Sequence, residues 1–207
     1  IPDSSPQVAY ERRTQKYIDA LGVLSTAKIC AERESLYYKY SSTFMEHIPF
    51  ECVNFWIQCG SLLQPRKLLP AVMRYRPECN PPDHPKNQAI RYLEVAVQKL
   101  HCQDSVVYNY LLSLYARQEH EHHLLQFLTS SFGDAQTQKI QERYDLDYAL
   151  RVCMKHKKFR SCVLIYGYIG LYDEAVDLAL RIDIELAKYN ANKPEKREER
   201  KKLWLRI

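Results

Sequence analysis

Apolar residues recur at intervals of three and four along nearly the whole chain, and strict two-residue alternation is almost absent, so the pattern predicts helices rather than strands. The segment "SSPQVAYERRTQKYIDALGVL" opens with Ser5 placed as an N-cap and Pro6 at the first helical position, and carries Tyr17, Leu21 and Leu24 on one face. "ESLYYKYSSTFMEHI" and "PFECVNFWIQCGSLL" read as consecutive helices with Pro49 at their junction. Pro65 starts the next one, and Pro70 marks a kink or a fresh helix start. Beyond a proline-rich stretch, Ala89, Ile90, Leu93, Val97 and Leu100 form one stripe; Val107, Tyr110, Leu111 and Leu114 form another, capped by Asp104 or Ser105. "EHHLLQFLTSS", "DLDYALRVCMKHK", "DIELAKYNAN" and a charged last segment complete the series. The total is roughly a dozen helices of about three turns, joined by short connections that force neighbours antiparallel.

The stretch "HKKFRSCVLIYGYIGLYDEAVDLALRID" writes one pattern twice. Phe159 is followed by Cys162, Val163 and Tyr166; Tyr172 is followed by Ala175, Val176 and Ala179. Tyr17, Ala20, Leu21, Leu24 fit the same template, and Ala89, Ile90, Leu93 fit it more weakly behind Lys86. A small residue lets a neighbouring backbone approach, and the aromatic is expected to plug the gap at the helix start. Copies at uneven spacing predict an irregular all-α solenoid of stacked antiparallel helical hairpins, with no β-sheet.

Composition narrows the reading further. The chain has 207 residues, 46% hydrophobic and 27% charged, as ordinary globular proteins do. It has only 5 glycines, too few for a turn-rich β-sandwich or a phosphate-cradling loop; Pro77, Pro81, Pro82 and Pro85 gather in an irregular loop near 76–86. The net charge is +5, but its densest basic run, "KPEKREERKK", holds three glutamates and reads as the solvated start of a helix. Seven cysteines, an odd number, include Cys52, Cys153 and Cys162 inside apolar helical patterns; with no secretory signal this suggests reduced thiols filling core space in a cytosolic setting. No apolar run approaches the ~20 residues of a membrane span. The start at Ile1 and the stop at "KKLWLRI" suggest one solenoid fragment, 1–207, of a longer protein.

Chemistry is sparse. "EHEHH" (119–123) offers His120 and His123 on one helix face, but no Cys-x-x-Cys or second ligand set accompanies it, so no metal site is assigned. Cys153 and His156 stand three apart, yet Leu150, Val152 and Met154 surround the cysteine, which reads as core. Asp145, Asp147, Asp173, Glu174 and Asp177 read as helix-start or solvent-face residues. No phosphate-loop, nucleophile-elbow or zinc-protease motif occurs. Catalytic, cofactor-binding and metal residues are therefore expected to be none, with no small-molecule substrate. The 16 tyrosines and the tryptophans Trp56 and Trp204 remain; in "LYYKYSSTF" the aromatics cannot all face one core, so most read as interhelical plugs with wet hydroxyls, and the alternative is an interaction surface.

The stretches "LYYKYSSTFMEHIP", "AIRYLEVAV", "NYLLSLYA", "YDLDYALRVCMKH", "LYDEAVDLAL" and "ELAKYNANKPEKREERKKLWLRI" together resemble the deep orange family of vacuolar sorting proteins. The resemblance runs from about Tyr17 to the end, broken by the proline-rich loop and by 118–141. It implies the clathrin heavy-chain repeat region of a class C core subunit of the HOPS and CORVET tethering complexes. The implied role is a non-enzymatic scaffold for vesicle transport, autophagy and SNARE-mediated fusion of late endosomes and lysosomes. The implied partners are other class C subunits, with SNAREs as further candidates, and membrane contact is indirect, on the cytosolic face. The family's β-propeller and RING finger have no counterpart in these residues, so zinc and ubiquitin-ligase chemistry are not carried over. The alternative left by the basic charge is a helical-repeat nucleic-acid-binding module.

Overall fold

The computed structural model describes residues 6–26, 31–132 and 145–207. Among them are twelve α-helices and no strand. The chain divides into two compact units, 1–107 and 108–207.

In the first unit α1 (Pro6–Thr26), α2 (Ala31–His47), α3 (Pro49–Cys59), α4 (Pro65–Val72) and α5 (Gln88–Gln98) follow one another. Each helix packs on its successor or on the one after: α1 meets α2 and α3, α2 meets α3 and α4, and α5 meets α3 and α4. That i, i+2 contact is what stacked hairpins produce and a single closed bundle of consecutive neighbours does not require. Proline sets the boundaries, opening both α3 and α4 at Pro49 and Pro65, where the missing N–H costs nothing. Pro70 lies inside α4 rather than starting a helix. Aromatic contacts knit this core: Trp56 meets Tyr92 edge-on with centroids 4.9 Å apart, and Tyr37 stacks on Phe55 at 5.5 Å. The expected split of "LYYKYSSTF" is present, with Tyr37 and Phe44 buried and Tyr40 exposed. The loop near 76–86 is only partly the exposed loop its prolines suggest. It contains a short 3₁₀ turn at Pro77–Cys79, buries Pro81, and is tied down by Asn80, which donates to Tyr75 Oη (2.8 Å) and the Lys86 carbonyl (3.0 Å).

Helix α6 (Ser105–Arg117) leads into α7 (His122–Phe132), α8 (Leu146–Lys155), α9 (Phe159–Ile169), α10 (Tyr172–Ala179), α11 (Ile184–Ala191) and α12 (Arg197–Trp204). Asp104 caps α6 by accepting from the Val106 amide at 2.9 Å, and Asp145 caps α8 by accepting from the Asp147 and Tyr148 amides. Within the second unit α9 packs on α7, α8 and α10, while α10 packs on α11 and α12.

The written-twice stretch folds as two successive helices beginning at its two aromatics, Phe159 and Tyr172. Between them Gly170 adopts φ +89°, and its amide and that of Leu171 both bond to the Tyr166 carbonyl, which ends α9 and reverses the chain. Cys162, Val163, Ala175, Val176 and Ala179 are all fully buried. The aromatic-plug expectation fails at Phe159, which is 38% exposed, and Ala20 in the α1 copy lies on the surface. The template therefore marks the small and branched positions that let helices approach, and its aromatic position is free to face water. The α5 stripe is likewise shifted: Ala89, Ile90, Tyr92, Leu93 and Ala96 are buried, whereas Leu100 lies past the helix end.

Candidate functional site: ties and surfaces of the second unit

The segment "EHEHH" connects α6 to α7, and its most structured side chain is the acidic one at its centre. Glu121 Oε1 accepts from both the amide and the hydroxyl of Ser161, each at 2.7 Å. Ser161 sits in the first turn of α9, so a carboxylate 40 residues away in sequence does the work of an N-cap there. The reciprocal tie comes from Lys158, the residue before α9. Its ammonium donates to the carbonyls of Gln118 (2.5 Å) and Glu119 (2.7 Å) just past the end of α6, and the residue is only 8% exposed. A cation on carbonyls near a helix C-terminus and an anion on amides at a helix N-terminus both follow the dipole. His120, His122 and His123 are exposed, with the His123 ring stacked beside Tyr115. Among the described residues no group of three His, Cys, Asp or Glu side chains is placed to hold a metal ion.

Cys153 is fully buried, and His156 caps the C-terminus of α8. The Cys162 thiol is pushed far above its ordinary range, first by a hydrogen bond with Cys153 and then by burial. Two buried thiols facing each other across α8 and α9 are a packing contact, and neither meets solvent. Burial, followed by the cations Lys155, Arg117 and Lys158, holds the His156 imidazole below its usual range. The carboxylates fall where their spacing suggests: Asp145 is a cap, Asp147, Asp173 and Glu174 lie in first turns, and Asp173 and Asp177 take Arg206 at 2.9 and 3.2 Å. These last pairs fasten the end of α12 to α10 at the surface, where each is worth little on its own.

What the second unit offers is surface. Ile184, Tyr189, Trp204 and Leu205 are exposed, the last at 89%. Among the described residues no helix is long and apolar enough to cross a membrane.

Comparison with known proteins decides the family. The family described as "VPS18, alpha-solenoid domain, second half" matches residues 8–207. The chain belongs to the VPS18 alpha-solenoid family. The match begins nine residues before Tyr17, where the sequence resemblance starts, so α1 is part of it almost entirely. The Vacuolar protein sorting-associated protein 18 homolog of Danio rerio is 44% identical over 192 residues, covering 92% of this chain and 19% of that protein. Vacuolar sorting protein 18 of Arabidopsis thaliana is 40% identical over 192 residues, covering 91% and 19%. The Vacuolar membrane protein pep3 of Schizosaccharomyces pombe is 30% identical over 209 residues, covering 99% and 22%. The chain thus spans about a fifth of the length of these curated relatives. The VPS18 solenoid assignment agrees with the hairpin stacking seen within each unit.

Nothing local in the sequence marks Glu121 and Lys158 as structural ties. The only available signal was that each is a charged residue beside a helix end; its partner lay some 40 positions away.

Proposed function

We propose that this chain is a non-enzymatic scaffold segment of an endolysosomal membrane-tethering complex of the HOPS and CORVET type. In this reading it contributes to vacuolar and lysosomal sorting by presenting helical surface to other class C subunits. Association with the late endosomal or lysosomal membrane is peripheral and indirect, on the cytosolic face, with SNAREs as further contacts. The observation that carries the reading is the VPS18 solenoid match across residues 8–207. The name of the fission-yeast relative, a vacuolar membrane protein, supports the location, and the absence of a spanning helix among the described residues fits peripheral attachment. The buried Cys153 and the structural use of Glu121 and Lys158 support a role in architecture rather than catalysis.

The test is a pull-down of this chain against each separate tether subunit, repeated with truncations removing one helix at a time. Retention of at least one subunit, lost at a defined helix, is the expected result. Failure to retain any subunit, together with RNA or DNA binding that weakens steeply with salt, would replace the scaffold by the nucleic-acid-binding alternative.

A further inference from the structure

Helices α7, α9 and α11 leave a groove between them. Its apolar floor is Leu125 from α7, Val163 and Leu164 from α9, and Leu186 from α11, around a cavity of about 290 Å³. That is at the small end of ligand sites, which run roughly 300–1,000 Å³, and suits a side chain or two rather than a cofactor.

Two polar groups of this groove lack the partners that such groups normally have. Asn190 is 1% exposed; its Nδ2 donates to the Leu186 carbonyl at 2.8 Å, but its Oδ1 accepts no hydrogen bond. A buried polar atom without a partner is uncommon in folded proteins. Lys193 forms no ion pair among the described residues; its ammonium lies 4.8 Å from the centre of the Tyr189 ring, and burial pushes its pKa below the usual lysine range. Gly167 of α9 makes room for both: a Cβ there would lie 2.8 Å from Asn190 Oδ1 and 2.9 Å from Lys193 Nζ. Arg160 also lines the groove, and its guanidinium is 3.9 Å from Asp183, a loose pair. Two cations against one carboxylate leave the groove positive, with the 63% exposed Tyr189 beside Lys193.

We infer that this groove docks an extended acidic–apolar peptide segment of a partner protein. A carboxylate pairs with Lys193, and leucine-sized side chains cover the floor. A peptide supplies anion and apolar surface together. A bare phosphate would leave the floor uncovered, and a nucleic acid would call for a longer line of cations than these two. The proposal deepens the scaffold reading above by assigning one of its surfaces.

The test is fluorescence anisotropy of an end-blocked, fluorescein-labelled octapeptide of alternating leucine and aspartate, with leucine–lysine and serine–aspartate counterparts. The expected result is that the leucine–aspartate peptide binds this chain and both counterparts bind at least about tenfold more weakly. Lys193→Gln, at a half-buried position, should keep the thermal melt and lose at least about tenfold in affinity; Gly167→Ala should lose as much. Equal binding by wild type and Lys193→Gln overturns the proposal, as does equal binding of the serine–aspartate peptide or no binding at all. Lys193-dependent binding of phosphatidylserine vesicles without peptide binding, or Lys193-dependent self-association, would also overturn it. If the peptide fails while tether subunits are still retained, the groove is wrong and the scaffold reading stands.

Discussion

Replacing Glu121 by alanine removes the acceptor that holds the first turn of α9. Its Oε1 takes two hydrogen bonds from Ser161, at 2.7 Å each, and Ser161 is fully buried. Hydrogen bonds to a charged group contribute about 1.5–3 kcal/mol each, and a carboxylate at a helix N-terminus adds about 0.3–1 kcal/mol. One oxygen serves both donors and Glu121 is only half-buried, so the sum is discounted to about 2–4 kcal/mol. For a chain of this size that lowers Tm by about 4–16 °C, read as a far-UV circular dichroism melt. Glu121→Gln, which keeps an acceptor, should lose less than half as much. A double-mutant cycle with Ser161→Ala should return a coupling of about 1–2 kcal/mol, because the pair is in direct contact. A Glu121→Ala variant melting within about 1 °C of wild type would refute the capping role.

The other ties and the core yield further expectations. Lys158→Met should cost about 2–3 kcal/mol by stranding the Gln118 and Glu119 carbonyls, and should show the same loss in a denaturant titration. Ala175→Trp inserts a large ring among fully buried Val163, Val176, Ala179, Ala187 and Ala191 and should cost on the order of a few kcal/mol by overpacking; an unchanged melt would place the wrong face inside. Gly170→Val, at φ +89°, should destabilise by about 1–2 kcal/mol through backbone strain, although the site has room for a side chain. Burial pushes the Cys59 thiol up to about 11 from an ordinary value of 9.0. The thiolate is the nucleophile, so alkylation of Cys59 by iodoacetamide should stay slow at pH 9 and rise with a midpoint near that shifted value. The folded state holds this proton where the unfolded chain has lost it. Cys59 therefore subtracts from stability as pH rises through that window and leaves it unaffected below.

Local signals were readable from the chain, and remote pairings were not. Pro49, Asp145 and the paired starts at Phe159 and Tyr172 act within a turn of themselves, so the helix boundaries they set were legible. The burial of Cys162, Val163, Ala175 and Val176 followed from helical spacing. Phe159 was misjudged because size and hydrophobicity do not say which side of a helix start meets a neighbour; its 38% exposure is decided by packing of other helices. Glu121 and Lys158 each look like ordinary surface charges, since their partners lie 39 and 40 positions away. The Asn190–Lys193–Gly167 grouping was hidden for the same reason: only the tertiary fold brings the end of α11 and the residues after it back to Gly167 of α9. The family could be read earlier because it rests on many short stretches at once.

The scaffold role proposed for this VPS18 solenoid segment requires that it hold other proteins in place. The most direct measurement is native mass spectrometry of the tethering complex assembled with the full-length protein and with a form lacking the counterpart of residues 8–207. The shortened protein should leave at least one class C subunit unincorporated. Full incorporation of every subunit at unchanged stoichiometry would contradict it.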